Sequence, residues 1–155
     1  MITTKITLGL TLLFVGNLYS DPTFSLSSIS KKEYHAIAKI EQPKTPLQKS
    51  IANGKEIYAD FCMQCHRADG TGTSNTIPPL DNSNWLKKKR TQSIHAVKFG
   101  QSGEIVVNGI RYNNTMPPMG LSNQEVADVM NYVMNSWSNK TSKMVTVTEV
   151  ANIVK

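Results

Sequence analysis

Thiols are scarce in this chain, which has two cysteines, Cys62 and Cys65, in 155 residues. Histidine is nearly as scarce, with His35, His66 and His95 only. A four-ligand structural zinc site is thereby excluded: beyond Cys62, Cys65 and His66 only two histidines remain, and neither stands at a zinc-like spacing. The first 20 residues hold no cysteine, so a lipid-anchored lipoprotein is not indicated. After them no run stays apolar for the roughly 20 residues that a spanning helix needs, and no stable membrane span is expected. No segment repeats.

What is present begins with "MITTKITLGLTLLFVGNLYS", one lysine followed by fifteen uncharged, mostly apolar residues. Residues 1–20 read as a secretory signal peptide, which places the mature chain in the periplasm or otherwise outside the cytoplasm. Its removal leaves 16 basic against 11 acidic side chains, a net charge of +5. A modest positive charge suits an anionic membrane face or an acidic protein partner, and export excludes nucleic acid. Residues 21–48 are rich in Ser, Lys and Pro and read as an extended arm or linker, with a short helix around Tyr34 to Ile40 and a solvated His35.

From Ser50 the texture changes. Ile51, Ile57, Tyr58 and Phe61 suit one helical face, and this helix delivers the cysteines at its C-terminal end. Short helices are expected around Trp85 and over "TQSIHAVKFG", the latter stopped by Gly100. A minor hairpin is expected at "EIVVNGIRY", where Asn-Gly separates two small apolar runs. Ser122 and Glu125 stand in capping-box positions ahead of Val126, Val129, Met130, Val133 and Trp137, which follow at helical spacing. The fold class is all-α, a few helices with long loops, in one domain over 49–139; residues 140–155 form a tail that wraps or frays.

The chemistry lies in "DFCMQCHRADGTG". Two cysteines with two residues between them in an exported protein form a disulfide, act as a redox dithiol or hold a metal group. A thioredoxin-like dithiol requires a strand–helix unit and a parallel sheet, and none is expected here. Covalent haem attachment accounts for all three residues at once: the thiols of Cys62 and Cys65 add to vinyl groups, and His66 binds the iron. Such an iron takes a second axial ligand, for which methionine is the expected residue. Met1 leaves with the leader, Met63 lies between the cysteines, Met130 and Met134 belong to the last helix and Met144 to the tail. Met116 and Met119 remain, in "NNTMPPMG". Proline after Met116 biases that residue to extended backbone and stiffens its presentation, which favours Met116 over Met119.

Residues 50–138 resemble a class I cytochrome c. The resemblance rests on "CMQCH", "GKEIYADFC", "DGTG", "IPPL", "NSNWL", "VNGIRYNNTMPPMG" and "LSNQEVADVMNYVMNSW", and is strongest to small domains serving bacterial periplasmic oxidoreductases, separate or fused. It implies one covalent haem c with His66 and Met116 as axial metal ligands. It further implies that the Pro78 carbonyl, or that of Pro79, accepts the His66 ring N–H, that Leu80 touches the haem, and that Trp85 reaches a propionate or covers the haem edge. Gly54 and Tyr58 are implied to pack across Tyr132 and Val133. The function implied is single-electron transfer, not catalysis, with a redox partner protein. The basic run Lys87, Lys88, Lys89 and Arg90 either steers an acidic docking surface of that partner toward the haem edge or is a solvated face only. Two alternatives stand beside it: a permanent cytochrome subunit of a periplasmic dehydrogenase or reductase, and a haem protein with an open sixth site.

Overall fold

The computed structural model describes residues 44–155; the expected leader, most of the 21–48 arm, the short helix near Tyr34 and His35 lie outside the described residues. Helix α1 runs Pro46–Phe61. It begins four residues before the periodic stretch, because Thr45 and Gln48 close a capping box: Thr45 Oγ1 accepts from Gln48 N at 3.2 Å and Gln48 Oε1 accepts from Thr45 N at 2.8 Å. Pro46 opens the first turn, where its missing N–H costs nothing. The arm therefore gives up its last residues to the helix.

After Cys62 the chain makes the single turn α2, Met63–His66, and then a long loop. Helix α3, Asn84–Lys88, is capped by the Ser83 hydroxyl, and α4, Arg90–Phe99, ends on Gly100 at φ 86°. Strands β1, Ile105–Val107, and β2, Ile110–Tyr112, pair antiparallel. Asn108 and Gly109 between them both take positive φ, 51° and 83°, as a tight two-residue hairpin turn requires. The turn is tied to α3 by a reciprocal pair: Asn84 and Asn108 each donate a backbone N–H to the other's side-chain oxygen at 2.9 Å.

Helix α5, Asn123–Val133, opens on the Ser122–Glu125 capping box. It stops short of Trp137. The Asn135 amide donates to Asn131 O at 2.9 Å and the Ser136 hydroxyl to Tyr132 O at 2.7 Å, so side chains occupy carbonyls that the next turn of backbone would use. Trp137 then sits at φ 54°, in the left-handed region.

Helices α1 and α5 cross at Gly54, where an added Cβ would lie 2.0 Å from the Asp128 carbonyl oxygen and 2.8 Å from Tyr132 Cβ. Only glycine allows that approach. Around the crossing the Ser50 hydroxyl donates to the buried Asp128 carboxylate, and the Asn131 amide donates to Ser50 Oγ at 2.8 Å. Tyr58 stacks on Tyr132 with ring centres 5.3 Å apart. Ile94, Val126, Val129 and Met130 fill the centre.

The tail is part of this core. The Asn131 side chain pairs with Val145 like a piece of strand, accepting its N–H at 2.7 Å and donating to its carbonyl at 2.9 Å. Helix α6, Val147–Ala151, follows, and Val145 and Val150 are wholly buried. Arg90 grips the tail through Glu149, with Nε and one terminal nitrogen at 2.6 and 2.8 Å from the two carboxylate oxygens, and donates to the Met144 carbonyl at 3.1 Å. Lys98 donates to the carbonyls of Val150 and Ile153. Among the described residues no helix is long and apolar enough to cross a membrane.

Two outcomes follow from this packing. Gly54→Ala should cost about 1–3 kcal/mol, the range for overpacking, read as a lower urea midpoint with unchanged slope. The Arg90 guanidinium holds the Glu149 carboxyl below its usual range. A carboxylate depressed in the folded state contributes stability that is present above its unfolded value and lost as pH falls through its folded one. Glu149→Gln should therefore lower stability at neutral pH by about 1 kcal/mol or less, the pair being partly exposed, and in thermal melts the difference from the unmutated protein should begin to shrink as pH falls past the ordinary glutamate value of about 4.3 and continue to shrink below it.

Candidate functional site

The end of α1 brings Cys62, Cys65 and His66 to the rim of a cleft of roughly 1340 Å³, mouth included, whose walls are overwhelmingly apolar. Both thiols are unpaired, Cys62 half-buried and Cys65 exposed. Burial, reinforced by neighbouring Cys65, pushes the Cys62 thiol up to about 11. Among the described residues no three His, Cys, Asp or Glu side chains converge on a metal position, so a cage of protein ligands alone is not offered.

His66 is buried, and its Nδ1 lies 3.1 Å from the carbonyl oxygen of Pro78. A carbonyl only accepts, so Nδ1 carries the proton and Nε2 keeps its lone pair for a metal. Burial lowers the His66 pKa, and the bond to Pro78 opposes that shift in part. The neutral ring needed for ligation is thus the form the site favours.

The loop that brings Pro78 to His66 is closed on itself. The Tyr58 hydroxyl donates to Arg67 O at 2.6 Å, turning the chain directly after His66. Gly72 N donates to His66 O at 3.1 Å, and Leu80 N and Asp81 N both donate to Gly70 O. At Gly72, with φ 64°, a Cβ would lie 2.3 Å from Ile77 O and 2.7 Å from Pro78 O, so the loop can fold back only over a glycine. Pro79 lines the cleft without a bond to the ring; Leu80 and Trp85 also line it.

The loop after β2 lines the same cleft. Met116 forms an isolated antiparallel bridge with Gln101, N–H to carbonyl at 2.9 and 2.8 Å in the two directions. Asn114 ties this loop to the proximal one by donating to Thr76 O at 3.0 Å. Met119 lines the same cleft.

Several residues singled out from the sequence lie elsewhere. His95 packs on Phe99, ring centres 5.0 Å apart, and does not line the cleft. Arg90 is not part of a solvated basic face: its side chain is 20% exposed and clasps the tail through Glu149. Lys87, Lys88 and Lys89 are exposed, with Lys87 donating to Asn82 Oδ1 at 2.6 Å. Sequence reasoning missed Trp137, Ser138 and Asn139, which brace the proximal loop from α5. The signal was faint, since the helical spacing of Trp137 concealed that it lies past the helix end.

The cytochrome c family model matches residues 51–137. The chain is 34% identical over 110 residues to the gluconate 2-dehydrogenase cytochrome c subunit of Pantoea cypripedii, covering 66% of this chain and 24% of that one. It is 33% identical over 93 residues to cytochrome c-552 of Thermus thermophilus, covering 57% of this chain and 70% of the other. To the cytochrome c subunit of alcohol dehydrogenase (quinone) of Gluconacetobacter polyoxogenes it is 25% identical over 164 residues, covering 84% of this chain and 32% of that subunit.

Proposed function

The chain belongs to the cytochrome c family, carries one covalent haem c and works in electron transfer; from that premise we propose that it is a single-electron carrier with Cys62 and Cys65 as thioether sites and His66 and Met116 as axial ligands. When bound, the haem supplies a one-electron iron couple. The observation that carries the reading is that both candidate ligands line one apolar cleft, each with its own tether: His66 oriented by Pro78 and Met116 held by Gln101. With both axial positions filled by the chain, no position is left for a substrate, so the protein exchanges electrons rather than transforming a molecule. The apolar lining excludes water and, with a thioether ligand, favours the reduced state.

Export by a leader over residues 1–20 belongs to the same reading, with work in the periplasm or another extracytoplasmic space. The partner is a redox protein with an acidic docking surface. Lys87 shares a shallow pocket with Lys140 and Lys143, and Leu86 lines both that pocket and the haem cleft, so positive charge borders the cleft. A second reading, a fixed subunit of a dehydrogenase, is favoured by the similarity to the gluconate and alcohol dehydrogenase subunits, although this chain spans only 24% and 32% of their lengths. Co-purification with a dehydrogenase through a high-salt wash would select it.

Met116→Ala should abolish the weak sulfur-to-iron charge-transfer band of the oxidised protein, lower the reduction potential and let carbon monoxide bind the reduced form. Met119→Ala should keep the band. An unmutated protein that lacks the band and binds carbon monoxide readily would establish the open-site alternative instead.

Neutralising Lys87, Lys88 and Lys89 together should slow electron transfer to an acidic partner and flatten its salt dependence, since screening acts over about 8 Å at physiological ionic strength. Stopped-flow rates across a salt series check this, and Arg90→Gln combined with Glu149→Gln, which loosens the tail without changing net charge, should leave the salt slope unchanged.

A further inference from the structure

Three consecutive residues after α5 hold both ends of the loop that carries Pro78. Trp137 Nε1 donates to Ala68 O at 3.0 Å, just past His66. Ser138 donates its backbone N–H at 3.0 Å and its hydroxyl at 2.5 Å to one oxygen of Asp81, at the other end of the loop. The Asn139 amide donates to Leu80 O at 2.8 Å and to Val133 O at 3.0 Å, joining that same end to the last turn of α5.

Two features show that this corner is held against its own preferences. Trp137 takes φ 54°, a conformation a bulky side chain adopts only when its surroundings over-determine it. Asn139 is buried and spends both amide hydrogens on the loop and helix, which leaves its Oδ1 as the one buried side-chain polar atom without a partner among the described residues. The Trp137 ring lies against Gly70, where a Cβ would come within 2.7 Å of it. Gly70 is the residue whose carbonyl accepts from both Leu80 N and Asp81 N. The ring therefore packs on the neck of the loop while the three side chains tie its two strands.

We infer that Trp137, Ser138 and Asn139 are positioning residues for the proximal ligand: by fixing the neck of the 67–81 loop they fix the Pro78 carbonyl on His66 Nδ1, and with it the orientation and basicity of the ring. The inference rests on the reading of His66 as an iron ligand. A polarised imidazole donates more strongly to its metal, so the corner acts on the iron through two intervening contacts without touching the haem.

The test uses the intact haem protein in Trp137→Phe, which keeps a ring and removes the N–H, and in Ser138→Ala, with Ser138→Thr as the conservative rescue. The readouts are the hydrogen-exchange rate and chemical shift of His66 Nδ1–H in the reduced protein, and the reduction potential. Glu149→Gln, distant from the loop, is the control for plain loss of stability. Each corner variant should speed exchange of the Nδ1 proton by about tenfold, the worth of one hydrogen bond, and shift the potential; Ser138→Thr should restore both, and Glu149→Gln should change neither. If Trp137→Phe does not accumulate as haem protein, Ser138→Ala carries the test alone. Unchanged exchange and potential in the corner variants, or equal changes in the control, would overturn the inference while leaving His66 a ligand. His66 ring protons without the large upfield shift of a group above a haem, seen in the unmutated protein, would overturn the ligand reading and the inference together.

Discussion

The approach of α1 to α5 at Gly54 is the constraint on which the rest depends. A carbonyl oxygen occupies the space that any side chain at position 54 would need, so the two helices meet backbone to backbone. That distance sets where Tyr58 meets Tyr132 and where the end of α1 releases Cys62. The polar cluster of Ser50, Asp128 and Asn131 at the crossing fixes its register, since Ser50 on α1 both donates to Asp128 and accepts from Asn131 on α5. A slip of either helix would take the Ser50 hydroxyl from the buried Asp128 carboxylate and leave it only the Gln124 amide of its own helix.

The two walls of the cleft are built by different means. On the His66 side a loop is folded over a glycine, closed by its own backbone bonds and braced from α5, so the ring is held by many weak constraints acting together. On the Met116 side, two backbone bonds to Gln101, two following prolines and the tie from Asn114 to Thr76 hold the loop. An imidazole must present one nitrogen along one direction. A thioether on a long, unbranched side chain tolerates more, which is consistent with the lighter scaffold around it.

The helices, the hairpin and the haem motif were legible in the sequence because each is encoded locally. Ser122 and Glu125 cap α5, Asn108–Gly109 dictates a hairpin turn, and Cys62, Cys65 and His66 are five residues from end to end. Two local signals were present and not used. Thr45 and Gln48 mark the start of α1, and Thr146 and Glu149 mark α6 inside what read as a tail that wraps or frays. The role of Arg90 was hidden for another reason: in sequence it ends a basic run, and only the fold brings Glu149, 59 residues away, against it. The corner at Trp137 was illegible because side-chain competition from Asn135 and Ser136, not a helix breaker, ends α5.

The grip on the tail has a consequence for how the molecule opens. Ser50 and Asp128, 78 residues apart, close a ring that contains the haem motif and both cleft walls. Closing a ring of that length costs about 4 kcal/mol in chain entropy by logarithmic scaling, and once closed its members rise and fall as one cooperative unit. The segment from Val145 to Ile153 lies outside the ring and is held from α4 and α5 by the side chains of Asn131, Arg90 and Lys98. Lifting it would also bare Val145 and Val150, which are wholly buried in the core that the ring fills, and would strip Asn131 of its pairing. The tail is therefore bound into the same cooperative unit, and the ring does not open without it.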